Sequence, residues 1–129
     1  MAGLSVSGRF GLLIAAQAVH SIEEYLTRLY DVLVPAGLVS DALGIDRPSG
    51  FIASNVLLGL FGLWCWLARV RPRRGAWRGL AWFWALLEGA NGAAHLALAV
   101  AAGGYFPGLA TAPPLLALSV ALALRLRAG

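Results

Sequence analysis

Residues 77–103 read WRGLAWFWALLEGANGAAHLALAVAAG, an apolar run whose only ionisable side chains are Arg78, Glu88 and His95. About 20 mostly apolar residues suffice to cross a bilayer as a helix. Helix is the expected form, because in hydrocarbon it satisfies every backbone N–H and C=O within one segment. Working outward, comparable runs cover 10–34, 50–69 and 111–126. Pro35, Pro48, Pro107, Pro113 and Pro114 fall at run edges, where a helix can begin or end. Of the 129 residues, 60% are hydrophobic and 12% charged, and the mean hydropathy is +0.76. A soluble domain carries roughly twice that share of charge. The expected fold is therefore all-α: a polytopic membrane protein forming one four-transmembrane-helix bundle over residues 1–129.

Charge sets the orientation. The net charge is +4, and every basic residue is Arg. Arg69, Arg71, Arg73, Arg74 and Arg78 crowd the break between the second and third runs, Arg9 precedes the first, and Arg125 and Arg127 end the fourth. By the positive-inside rule these regions share the cytoplasmic side, so both termini are expected there. Topology explains the arginines better than a nucleic-acid partner does, and none is expected. Residues 34–49 and 103–110 are then outward loops. The stretch before Ala16-Gln17-Ala18 is too short for the apolar region of a signal peptide, so no cleavage is expected. Cys65 lies inside an apolar run and reads as a packing residue. Trp64, Trp66, Trp77, Trp82 and Trp84 read as a cytoplasmic aromatic belt. Ala85, Gly89, Ala93 and Ala97 read as a track for close helix packing.

The polar residues are distributed against solubility. All three Glu (Glu23, Glu24, Glu88) and both His (His20, His95) fall within or beside apolar runs. Counted from Arg9 and Arg78 at about 1.5 Å per residue, His20, Glu23 and Glu24 on the first helix match Glu88, Asn91 and His95 on the third, about 15–26 Å in. At about 100° per residue, Glu23 lies about 60° to one side of His20 and Glu24 about 40° to the other, while Glu88 and His95 differ by about 20°. Two parallel helices thus carry matched polar stripes. Ionisable groups in hydrocarbon cost several kcal/mol each, so they must pair, be hydrated or hold a cation. Mutual His–Glu pairing would suit one pair; six such groups at one depth point to a site. Imidazole nitrogen and carboxylate oxygen are common ligands of divalent zinc, iron and manganese. The candidate metal ligands are His20, Glu23, Glu24, Glu88 and His95, with Glu23 or Glu24 as a catalytic carboxylate. Gln17, Ser54 and Asn55 flank this region, while Arg28, Tyr30 and Asp31 continue the first helix outward.

His20-Ser21-Ile22-Glu23-Glu24, Asn91-Gly92-Ala93-Ala94-His95 and Pro107-Gly108-Leu109-Ala110-Thr111 read H-x-x-E-E, N-x-x-x-H and P-G-x-x-T. In that order they resemble the motifs of the HXXEE family of bacterial and archaeal membrane proteins. The resemblance implies a protein of a prokaryotic plasma membrane that is suspected to be an enzyme. It marks His20, Glu23, Glu24, Asn91, His95, Pro107, Gly108 and Thr111 as functional positions, which adds Asn91 and Thr111 to the candidate catalytic residues. Glu88 lies outside these motifs and rests on helix geometry alone. Pro107-Gly108 is expected to turn the chain over the pocket, and Thr111 to cap the fourth helix.

The function expected is a metal-dependent membrane enzyme acting on a lipid-like or apolar small molecule that enters from the membrane lipids, by hydrolysis or isomerisation. The alternative is a small proton-coupled exporter, working as a homodimer through the intramembrane Glu/His cluster. A third is an assembly subunit without turnover.

Overall fold

The computed structural model describes residues 3–129, which form helices and turns only. Helix α1 spans Val6–Leu26, capped by Ser5, whose hydroxyl accepts from the Gly8 N–H at 3.1 Å. It stops short of the expected residue 34. The Thr27 hydroxyl donates back to the Glu23 carbonyl at 2.7 Å, and Arg28 turns into the left-handed region at φ 61°. The chain then forms α2 (Leu29–Val32) and α3 (Val34–Leu43), divided at Leu33, where Pro35 bars a continuous helix. The expected outward loop 34–49 is thus largely helical. Gly44, at φ 64°, ends α3, and the Asp46 side chain starts α4 by accepting from the Ser49 N–H at 2.9 Å.

Helix α4 begins at Arg47 and runs to Val70, its last turn, Cys65–Val70, being π-helical. Helix α5 is Trp77–Ala102 and α6 is Ala112–Arg127, both close to expectation. Arg47–Val70 and Trp77–Ala102 are long and apolar enough to cross a membrane. Helix α1 carries the polar cluster, and α6 has 16 residues. Val19, Leu57, Leu86 and Val100 stand more than half exposed. Apolar surface of this kind belongs against lipid or a partner.

Contacts fix the helix directions. The Trp66 indole donates to the Ser7 carbonyl at 3.0 Å, Arg9 to the Ala121 carbonyl at 2.9 Å, and Arg78 to the Leu126 carbonyl. The starts of α1 and α5 therefore lie beside the ends of α4 and α6, and eight of the ten arginines gather at that end of the bundle, Arg28 and Arg47 lying at the other. An apolar core of Phe10, Leu13, Trp84, Leu115, Leu122 and Leu126 fills that half. Trp84 is wholly buried there, so it departs from the expected belt, whereas Trp64 and Trp77 sit under Arg69 and Arg73 at the bundle end. The expected small-residue track also shifts. Ala93 and Ala97 are exposed, and the close approach of α5 to α6 falls at Gly92, where a Cβ would lie 3.1 Å from the Ala112 carbonyl. At the other end Leu29, Tyr30 and Phe51 pack α2 onto α4. The polar cluster lies between these two apolar clusters.

Candidate functional site

Residues four apart on a helix stand one above the other, and this spacing stacks Glu24 on His20 with Nε2 and Oε1 3.3 Å apart. Helix α5 brings His95 Nε2 to 2.9 Å from the same oxygen, Glu24 Oε1. The two imidazoles meet edge to face, their centroids 4.6 Å apart. His20 is 0%, His95 3% and Glu24 6% exposed, so bulk water does not screen the group. Among the described residues these three form a cluster whose candidate ligand atoms all lie within 4.8 Å of one another.

The outer nitrogens decide what the inner ones can do. His95 Nδ1 lies 2.7 Å from the Pro107 carbonyl, which can only accept, so Nδ1 carries a hydrogen. His20 Nδ1 lies 2.7 Å from Thr111 Oγ1, whose own hydrogen goes to Glu23 Oε2 at 2.5 Å. Thr111 therefore accepts from His20, and that Nδ1 is protonated too. In the neutral imidazoles both Nε2 atoms then present lone pairs, and both face a carboxylate oxygen. Three acceptors converging in a buried space call for a cation, either a proton or a metal ion. His20 Nε2 is buried and makes no hydrogen bond, its approach to Glu24 being badly angled for one. A metal bound at Nε2, with Nδ1–H held by an oxygen acceptor, is the usual arrangement of a histidine ligand. The residues fit a divalent ion with two nitrogen donors and one oxygen donor.

Glu23 faces elsewhere. Its carboxylate accepts from Tyr105 Oη at 2.6 Å, from the Ala110 N–H at 2.9 Å, and from both the N–H and hydroxyl of Thr111. An anion there meets the positive end of α6. Thr111 makes no side-chain cap to α6, contrary to expectation; Glu23 takes the free N–H groups, and Thr111 relays that hold to His20. Gly108 crosses the two rings at φ 92°, and a Cβ there would lie 2.6 Å from His95 Nδ1 and 2.9 Å from His20 Cε1. Only glycine fits this crossing.

Each of the three sequence motifs thus holds part of the others. The sequence matches the profile of the family described as "Protein of unknown function with HXXEE motif" over residues 11–123. The chain belongs to the HXXEE family. No curated protein and no solved structure matches it. Within the HXXEE motif the first Glu anchors the roof and the second faces the imidazoles.

Of the expected ligands, the structure brings His20, Glu24 and His95 together and seats Glu23 and Glu88 apart from them. Glu88 is 1% exposed, accepts from Asn91 Nδ2 at 3.2 Å, and lies near enough to His20 and Glu24 to interact electrostatically. Asn91 reaches the site through Glu88. Gln17 turns from the imidazoles and donates to Ser21 at 3.1 Å, and Ser21 donates to Asn55 on α4 at 2.7 Å. Ser54 only bonds its own helix. Tyr105 was missed by sequence reasoning: an exposed loop tyrosine gives no periodic signal.

Proposed function

We propose that this protein is a membrane-embedded, metal-dependent enzyme. In this reading α1, α4, α5 and α6 all span a prokaryotic plasma membrane, with both termini and the arginine-rich turn cytoplasmic. The gathering of Arg9, Arg69, Arg78 and Arg125 at one bundle end supports that orientation. The observation that carries the functional reading is the convergence of two Nε2 lone pairs on Glu24 Oε1, each imidazole anchored at Nδ1.

His20, Glu24 and His95 hold the metal, leaving coordination positions open as catalytic sites do. Bound there, the ion supplies Lewis acidity or an activated water. Donors of this kind suit zinc, iron or manganese. Thr111 and Pro107 fix the two rings, and Gly108 keeps the roof close over them. Glu88, buried and held by Asn91, is the carboxylate free to carry a proton. The substrate is a lipid-like or apolar molecule reaching the site from the hydrocarbon, and the reaction is a hydrolysis or isomerisation.

Elemental analysis of the purified protein tests this directly. A near-stoichiometric divalent metal is expected, lost from His20→Ala, His95→Ala and Glu24→Gln and retained in Glu88→Gln. Metal-free protein from metal-replete growth, with no uptake on titration, would sink the reading. Proton-driven efflux by such protein, abolished by Glu24→Gln, would favour the exporter instead.

A further inference from the structure

The six acidic side chains all lie away from the arginine-rich end. Glu23, Glu24 and Glu88 belong to the polar cluster and its roof, Asp31 and Asp41 face Arg28 and Arg47, and Asp46 caps α4. Eight arginines therefore share one end of the bundle with no carboxylate side chain among them. Part of this set is held in place. Arg9 and Arg78 donate to carbonyls of α6. At the turn between α4 and α5, the Arg69 guanidinium lies 5.1 Å from the centre of the Trp64 ring, and the Arg73 guanidinium 5.6 Å from that of Trp77. The turn reverses at Arg73 and Gly75, at φ 54° and 58°, and the Arg74 N–H closes it onto the Arg69 carbonyl at 2.9 Å. The side chains of Arg71 and Arg74 in this turn have no hydrogen-bond or ion-pair partner among the described residues.

A guanidinium stacked over a ring uses its face and keeps its in-plane N–H groups. Arg69 and Arg73 thus present forked donors already fixed in position, the form that suits phosphate oxygens. Like charges crowded together repel, and an anion seated among them relieves that repulsion. The surface beside them says what the anion is attached to. Leu60 and Leu67, one turn to either side of Trp64, are 58% and 47% exposed. A free phosphate or a nucleic acid has nothing to set on these side chains, whereas a phospholipid sets its acyl chains there and its phosphate on the guanidiniums. Trp64 and Trp77 lie at the facing ends of the two helices long enough to span a membrane, the level at which headgroups lie. Positive charge without local acids favours a net anionic headgroup over a zwitterionic one.

We propose that the α4–α5 turn binds anionic phospholipids of the leaflet it faces, with Arg69 and Arg73 as the fixed phosphate donors. Arg71 and Arg74 add attraction without fixed geometry. The inference rests on the membrane-spanning reading and not on the metal.

The test uses full-length protein in vesicles of mixed phosphatidylcholine and phosphatidylglycerol, one lipid at a time carrying brominated chains that quench tryptophan on contact. Trp64 and Trp77 report the lipid at the turn, while Trp84, wholly buried, is a constant background. Phosphatidylglycerol is expected to associate about fivefold more strongly than phosphatidylcholine, the effect of an arginine near an anionic surface. In salt of about 1 M, which screens exposed charges within about 3 Å, the preference should fall below about twofold. Arg69→Gln combined with Arg73→Gln should do the same at low salt, and Arg71→Gln with Arg74→Gln should lower the preference less. The salt response of the unaltered protein decides the matter if the first pair does not fold. Equal quenching by the two lipids, or a preference that survives the Arg69 and Arg73 substitutions, overturns the proposal. So does loss of the preference to inorganic phosphate or an oligonucleotide at equal ionic strength, which would make a soluble anion the partner. Quenching by neither lipid would sink the membrane reading together with this one. Metal content, measured on the same samples, should be the same in every variant; its absence throughout would sink the enzyme reading and leave the lipid site.

Discussion

Near the arginine-rich end, α1, α5 and α6 meet through carbon: Phe10, Leu13, Trp84, Leu115 and Leu122 are each 0% exposed. Further along, the same helices meet through His20, Glu24, Glu88, His95 and the Thr111 hydroxyl. Packing in the first region is non-directional and depends on volume. In the second it depends on which atom donates and which accepts. The carbon half buries the Trp84 indole N–H without a hydrogen bond, while the polar half leaves His20 Nε2 unpaired beside a carboxylate oxygen. A site can stay unsatisfied when the helices that carry it are fixed elsewhere.

The largest expected effect breaks the first region. Trp84→Ala removes the largest fully buried side chain and should cost about 3–5 kcal/mol. It should appear as a lowered melting temperature in detergent, with metal still bound in the folded fraction at low temperature. Loss of metal before loss of fold would show that the two halves are not separable in this way.

Gly108→Ala strikes the second region. A side chain at φ 92° is strained, and its Cβ would press on both imidazoles. A cost of about 1–3 kcal/mol is expected, together with a fall in metal affinity larger than the fall in stability. Equal losses would mean that the roof supports the bundle and not the rings. Thr111→Val keeps the shape and cuts the link from Glu23 to His20. It should weaken metal binding about 10- to 100-fold, as removal of a ligand's outer hydrogen bond does, and change the melting temperature little. The smallest effect belongs to Arg28→Ala at the outer end. The Arg28–Asp31 pair, 2.6 Å long, is largely exposed, so neither melting temperature nor metal content should move measurably.

The depth of the cluster was legible because helical rise is constant, so counting from Arg9 and Arg78 sets both polar stripes about 15–26 Å in before any packing is known. The division of labour between Glu23 and Glu24 was not. Periodicity sets them about 60° and 40° to either side of His20, which favours neither as the partner of His95. The loop before α6 decides: its free N–H groups at Ala110 and Thr111 claim Glu23 and leave Glu24 to the rings. The end of α1 was hidden for a similar reason. Apolar content continues past Leu26, but the Thr27 hydroxyl and the left-handed turn at Arg28 end the helix.

By itself, then, the sequence determined the helical class, the extents of α4, α5 and α6, and the level at which polar groups collect. Each of these follows from hydropathy and a fixed rise per residue, which are local properties. Only the tertiary structure decided that His20, Glu24 and His95 converge, and that Glu23 and Gly108 belong to the roof. Those depend on the rotation of each helix about its axis and on the path of the loop after α5. Contacts between residues far apart in the chain set both.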